Sequence, residues 1–236
     1  MKEVYERYGE HFIKLNPPTE KAFKSAAKSY AAWYKKFLPS DRNARILDIG
    51  CGMGHFLYFL KSEGYTNFFG IDVSEQQVNF VKENITENVS VADAFHFFVK
   101  EGGLFQVIVA NDVIEHLPKE RLLEFLRLVF NSLQVGGIAF IKTLNMSNPF
   151  GLRGRYMDVT HAIGFTEHSL FEVLNAAGFQ NIHLMGAYQP VLSVKSAIGK
   201  VARVIVHRLL KLMFLVQGYP PPRILDKDII VIAVKR

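Results

Sequence analysis

An apolar run that stops dead in glycines fixes the first element of this chain. Ile46-Leu47-Asp48-Ile49 is strand-length, and Gly50-Cys51-Gly52-Met53-Gly54 follows at once. Glycines at a strand-to-helix turn let the backbone approach a ligand closely and take angles that a side chain forbids. Two phosphate cradles do not fit. The pattern G-x-G-x-x-G needs glycine where His55 stands, and no Lys follows in the P-loop position. A tight structural turn is the plain alternative.

The pattern on either side of this turn is helix, then alternation. Thr19 can cap a helix from Glu20 to about Phe37, broken by Leu38-Pro39-Ser40-Asp41, so residues 1–43 read as an N-terminal helical cap on a domain spanning 44–236. Strands are expected at Arg45–Ile49, Asn67–Ile71, Val89–Val91, Phe105–Ala110, Ile138–Leu144, Ile182–Ala187 and Ile229–Val234. Between them lie a helix over Phe56–Lys61 stopped by Gly64, and one opened by a Ser74/Gln77 capping box. Another starts at Pro118, carries the stripe Leu122, Leu126, Val129, Phe130 and Leu133, and ends at Gly136-Gly137. A last one is capped by Thr166 and closed by Gly178. Such alternation predicts an α/β fold, a mostly parallel sheet with helices on both faces, binding its ligand beyond the strand carboxyl ends.

The last two strands enclose something different, an insertion at 190–228. It holds seven Lys/Arg against Asp226 and Asp228, so it carries +5 of the chain's net +6. At 100° per residue, Lys195, Lys200, Arg203, His207, Arg208 and Lys211 are assigned to one arc and Ile198, Val201, Ile205, Leu209, Leu212 and Val216 to the opposite one. A basic amphipathic helix over 194–216 can cap a site with its apolar face inward, or lie on an anionic membrane. The packed, lid-like arrangement is the favoured expectation. Elsewhere the chain is ordinary: 236 residues, 49% apolar and 21% charged, which excludes disorder. Cys51 stands alone, excluding a disulfide framework or a cysteine-rich zinc site. Met1–Arg7 lacks the apolar core of a signal peptide, and no run of ~18 apolar residues exists. A cytoplasmic protein, peripheral at most to the inner membrane face, is expected.

Two carboxylates sharpen the reading of the glycine turn. Asp72 ends the second strand 22 residues after Gly50, where an acid can accept from both hydroxyls of a ribose. Asp93 follows the third strand, where an adenine amino group would need an acceptor; a plain loop aspartate is its alternative. Together, Asp48–Gly54, Gly70-Ile71-Asp72, Val91-Ala92-Asp93 and Asn111–Leu117 resemble the class I S-adenosylmethionine-dependent methyltransferases. The likeness covers about residues 44–187. Arg155–His161, with Phe165-Thr166 and Ser169-Leu170, looks like a narrower group, bacterial methyltransferases of polysaccharide and lipopolysaccharide biosynthesis.

That resemblance implies a Rossmann-like seven-stranded sheet whose last strand is antiparallel. It also implies S-adenosyl-L-methionine as cofactor and S-adenosyl-L-homocysteine as product. Gly50, Cys51, Gly52 and Gly54 would pack on the methionine part, with Asp48 orienting its ammonium. Asp72 would hold the ribose and Val73 the adenine, flanked by Asp93 and Ala94. Asn111, Asp112 and Val113 would line the cofactor near the methyl group. The (Asn/Asp)-Pro-Pro-aromatic turn of nucleic-acid amino-methyltransferases is missing after the fourth strand, and Cys51 is no nucleophile. A nucleic-acid partner is not expected.

For the acceptor, the residues leave two enzyme readings. One is O-methylation of a sugar hydroxyl on a bacterial glycan or its precursor; the other is a small metabolite, a quinone precursor or a carboxylate. A non-catalytic cofactor-binding or RNA-associated module is the reading from a different class. An alcohol must lose its proton, and His161 or His116 can take it. Asp158 is placed to orient His161 through an Asp-x-x-His pair, and Arg155 to meet an anionic group. No cluster with metal spacing is expected. The loop 149–165 reads as rich in hydrogen-bonding groups and poor in large aliphatics, which suits a sugar.

Overall fold

The Thr19 hydroxyl accepts from the Ala22 N–H and opens helix α1, Glu20–Tyr34. The computed structural model describes residues 18–101, 103–191 and 193–236. Residues 1–17 of the expected N-terminal cap, Met1–Arg7 among them, lie outside the described residues. In chain order there follow β1 (Ile46–Ile49), α2 (His55–Ser62), β2 (Phe68–Asp72), α3 (Glu75–Asn84), β3 (Val89–Val91), α4 (Ala94–Glu101) and β4 (Phe105–Asn111). A 3-10 turn at Ile114–His116 leads to α5 (Lys119–Ser132), β5 (Leu133–Leu144), α6 (Gly151–Met157) and α7 (Glu167–Ala177). The chain closes with β6 (Asn181–Gly186), α8 (Val194–Val216) and β7 (Asp228–Val234).

The strands form one sheet in the order β3-β2-β1-β4-β5-β7-β6. All neighbours are parallel up to β5, and β7 runs antiparallel to both β5 and β6. This is the expected Rossmann-like architecture. Alternation along each strand sends successive side chains to opposite faces. Leu47, Ile108 and Ile141 join a core under α4, α5 and α7, while Ile46, Val107 and Phe140 join one under α1, α2 and α3. Phe23, Trp33 and Tyr34 of α1 are buried in that second core, beside Phe56 of α2, so the first helix shares the sheet's packing.

Four local expectations change. α5 stops at Ser132, not at the glycines, because Leu133 is buried and pairs with Phe105; Gly136, at φ 78°, sits where the ladder slips before Val107 meets Ile138. Pro118 is the residue before α5 rather than its first. α4 forms where no helix was expected, its Phe95, Phe97 and Phe98 all turned into the core. α6 interrupts the supposed loop; Gly151 permits it, since a Cβ there would meet the Asn145 carbonyl oxygen. Ser74 caps α3 by accepting from the Gln77 N–H, one half of the expected box, whereas Thr166, expected only as a cap, makes a full reciprocal box with Ser169.

The insertion also departs from its favoured reading. No residue of α8 is buried, and the six apolar residues of its stripe face solvent. Its partly covered side mixes Arg203, His207 and Lys211 with Leu210 and Phe214, and there Arg203 lies 3.8 Å from Asp226. The helix is therefore no lid with its apolar face inward. Lys195 and Arg208 do not share the arc of the other cations; at 100° per residue they border the apolar stripe on either side.

Candidate active site

The strand carboxyl ends open on one cleft of about 1680 Å³. Its floor is the glycine turn. Gly50 takes φ 63°, and a Cβ there would fall 2.6 Å from Val113 Cγ2, so only glycine lets the two loops meet. Gly54 (φ 77°) works differently. It lies off the cleft and packs on α3, where a Cβ would meet Ile85 and Val81 at 2.8 and 2.9 Å. The other expected cofactor positions, Asp48, Gly50, Cys51, Gly52, Asp72, Val73, Asp93, Ala94, Asn111, Asp112 and Val113, all line the cleft.

Asp72 ties the turn together. Its Oδ2 accepts from the Gly52 N–H at 2.9 Å and its Oδ1 from the Ser74 N–H at 2.8 Å, fixing the carboxylate at the cleft wall. Each oxygen keeps a further lone pair for a hydroxyl. Asp93 has a structural duty as well, accepting from the Phe95 N–H at 3.0 Å at the start of α4. Asp48 is buried, and its Oδ2 has no hydrogen-bond partner among the described residues. Burial pushes its carboxyl well above the usual range, and the neighbouring Asp72 charge adds to that. Burial raises Asp72 too. Two such carboxylates in one wall favour a cationic ligand.

Across the cleft, Tyr34 donates to Asn111 Oδ1 at 2.7 Å, leaving the buried Asn111 Nδ2 without a partner among the described residues. Next to it Asp112 adopts φ 56° and its carboxylate is paired with Lys142. Burial disfavours the Lys142 charge, but Asp112 and Asp228 overcome it and hold the ammonium protonated. Sequence reasoning missed Lys142; a single charged residue inside the strand was the available hint.

The two histidines, 45 positions apart, come together at the far end. Their ring centroids are 4.7 Å apart. Glu115 brings this about: its carbonyl accepts from the Ala162 and Ile163 N–H groups, and its buried side chain accepts from the Thr143 hydroxyl at 3.0 Å. Burial, then the Asp112 charge, pushes the Glu115 carboxyl up to about 8. His116 Nδ1 lies 2.8 Å from Thr160 Oγ1, whose own proton goes to Asp158 Oδ1 at 2.6 Å. Thr160 oxygen therefore accepts from Nδ1–H, which puts the basic lone pair of His116 on Nε2. His161 Nδ1 faces the Gly154 carbonyl at 3.0 Å, so its Nε2 is basic as well.

Asp158 thus supports His116 through Thr160. The expected direct pair with His161 is stretched to 3.9 Å, too long for a hydrogen bond. Burial and the adjacent His161 lower the His116 pKa below 6.5. Arg155 donates to the Ala162 carbonyl and ties its own loop, while Arg121 and Arg153 line the cleft. One donor atom each from His116, Asp158 and His161 falls within 4.8 Å of the others, a metal-sized grouping that linear spacing concealed. The cleft mouth is more apolar than expected. Phe150, Tyr156, Met157 and Val159 line it with 69–76% of their surface exposed.

A methyltransferase-domain family model matches residues 22–184. A ribosomal protein L11 methyltransferase of Thermotoga neapolitana is 37% identical over 93 residues, 38% of this chain and 33% of that protein. A ubiquinone biosynthesis O-methyltransferase of Caulobacter vibrioides is 32% identical over 105 residues, 42% of this chain and 40% of that one. The chain spans between a quarter and a half of the length of the curated relatives it matches. In fold it is similar to a SAM-dependent methyltransferase of Archaeoglobus fulgidus, with TM-score 0.69 and 24% identity over 97% of this chain and 100% of that one. A magnesium protoporphyrin IX methyltransferase of Synechocystis aligns with TM-score 0.61 and 13% identity, over 99% and 94% of the two chains.

Proposed function

Since the chain belongs to the methyltransferase-domain family, whose methyl donor is S-adenosylmethionine, we propose that it methylates a sugar hydroxyl of a bacterial glycan or its precursor. Such an acceptor suits the hydrogen-bonding groups that Arg153, Tyr156, Asp158 and His161 bring to the cleft. The cleft fits the donor on its own chemistry. An unpartnered buried carboxylate oxygen on Asp48 suits an ammonium, Asp72 suits vicinal ribose hydroxyls, and the Gly50–Gly52 backbone leaves room where side chains would intrude. Bound there, the sulfonium supplies an electrophilic methyl group.

The rest falls to the chain's own residues. Asp48, Asp72 and Asn111 hold and orient; Asp112 is fixed by Lys142 at the junction of the two halves. The observation that carries O-methylation is the chain Asp158–Thr160–His116, which presents a neutral imidazole with Nε2 basic. His116 Nε2 takes the hydroxyl proton as the oxygen attacks, and Asp158 steadies the imidazolium through Thr160. Alignment and exclusion of water supply the remaining rate. His161, second in the cluster, shares the acceptor end.

A ring hydroxyl of a quinone precursor is the second reading. The exposed Phe150, Tyr156, Met157 and Val159 favour it, as do two relatives named as ubiquinone biosynthesis O-methyltransferases. The same base serves either acceptor. Feeding methyl-labelled S-adenosylmethionine with separated extracts of nucleotide sugars, lipid-linked glycans, quinone precursors and RNA distinguishes them. Alkali-stable label in a glycan fraction is expected, as an ether gives. Label confined to the quinone fraction replaces the first reading by the second, and label in RNA or an alkali-labile ester overturns both.

A further inference from the structure

Helix α8 turns its main apolar stripe to solvent. An amphipathic helix on a water-soluble domain normally turns its apolar stripe to the core. Here Ile198, Val201, Ile205, Leu209, Leu212 and Val216 are 55–76% exposed, while the partly covered side holds Arg203, His207 and Lys211 beside only two large apolar residues, Leu210 and Phe214. The helix is well formed nonetheless, with Ser193 and Ser196 making a reciprocal cap at its start. An apolar face of this length, kept away from the body, marks an interaction surface.

Its charge decides the occupant. From Gln189 to Leu225 there is no Asp or Glu, against six Lys/Arg. A second copy docking helix to helix would bring two all-cationic elements together with no acid between them. Lys195 and Arg208 border the apolar stripe, where their alkyl stems can follow the apolar surface while their charges reach outward. An apolar centre with cationic margins complements acyl chains beneath anionic headgroups. Spanning is excluded: α8 carries five cations, and no described helix is long and apolar enough to cross a membrane.

We infer that α8 docks this protein, flat, on an anionic lipid surface. The helix leaves from the end of β6 and returns at the start of β7, which the antiparallel pairing places at the strand edge that opens the cleft. A docked helix therefore sits at the edge from which an acceptor enters.

Vesicle sedimentation of the full chain tests this, using phosphatidylcholine alone and phosphatidylcholine with phosphatidylglycerol. Binding to the anionic vesicles is expected at low salt, with release near ~0.5 M, where the screening length is ~4 Å. Ile205→Gln/Leu209→Gln and Lys195→Gln/Arg208→Gln should each weaken binding about tenfold or more, with the circular dichroism spectrum unchanged because these side chains are exposed. Equal recovery with neutral and anionic vesicles, or binding unchanged in both variants, overturns the inference. So does a lipid-free dimer that Ile205→Gln/Leu209→Gln dissolves, or salt-sensitive retention on RNA with none on vesicles.

Discussion

The two halves of the cleft are built on different physics. The half under β1, β2 and β3 is anchored by backbone: glycines in the left-handed region, a carboxylate pinned by two N–H groups, and side chains sunk in the core. The half under β4 and β5 is assembled from side chains, with an imidazole, a threonine and an aspartate in series and an exposed apolar rim. A backbone cradle holds one ligand shape in common across many acceptors. A side-chain relay can be altered residue by residue, which is where the proposed function puts acceptor choice.

This division is most easily broken in the acceptor half. His116→Ala should lower turnover ~10²-fold or more. The acid limb of the wild-type pH profile should lie below 6.5, because burial and His161 disfavour the imidazolium, and the limb should vanish in the variant. Thr160→Val should reproduce part of the loss by cutting His116 from Asp158. Near-normal turnover in His116→Ala moves the base to His161.

Gly54→Ala tests the opposite half through stability. A left-handed φ and contacts under 3.0 Å to Val81 and Ile85 should cost ~1–3 kcal/mol in chemical denaturation. Affinity of the folded fraction for the donor should hold, because Gly54 lies off the cleft.

Much of the backbone half was legible in the sequence because its signals are local. Glycine spacing, an acid after a strand and a capping serine each act within a few residues. The acceptor half was not. Glu115, Thr160 and Lys142 do their work across separate loops and strands, so neither Asp158's link to His116 nor the metal-sized cluster shows in linear spacing. The aromatic run Phe95–Phe98 hid α4, and the two glycines of α6 disguised a helix as a loop. The helical projection misjudged α8, since periodicity reveals a stripe but not the side it faces.

A smaller effect concerns Glu115, whose folded-state carboxyl is raised from 4.5 to about 8. The folded state holds this proton more tightly than the unfolded one, so its contribution is complete below about 4.5 and is lost as pH rises through about 8. Stability should decline over that window, and Glu115→Gln should flatten the decline in urea titrations from pH 5 to pH 8. The smallest expected effect is that of a chelator. With an imidazole as base, dialysis against EDTA should leave turnover within ~2-fold; abolition reversed by a divalent ion would assign His116, Asp158 and His161 to a metal instead.

Calorimetric titration with S-adenosylhomocysteine compares the halves most directly. Asp72→Ala removes a charged acceptor from two hydroxyls and should lose ~2–3 kcal/mol of binding, while His116→Ala should bind as the wild type does. Wild-type affinity in Asp72→Ala, or an equal loss in His116→Ala, would contradict a cleft divided between a backbone-anchored donor site and a side-chain-built acceptor site.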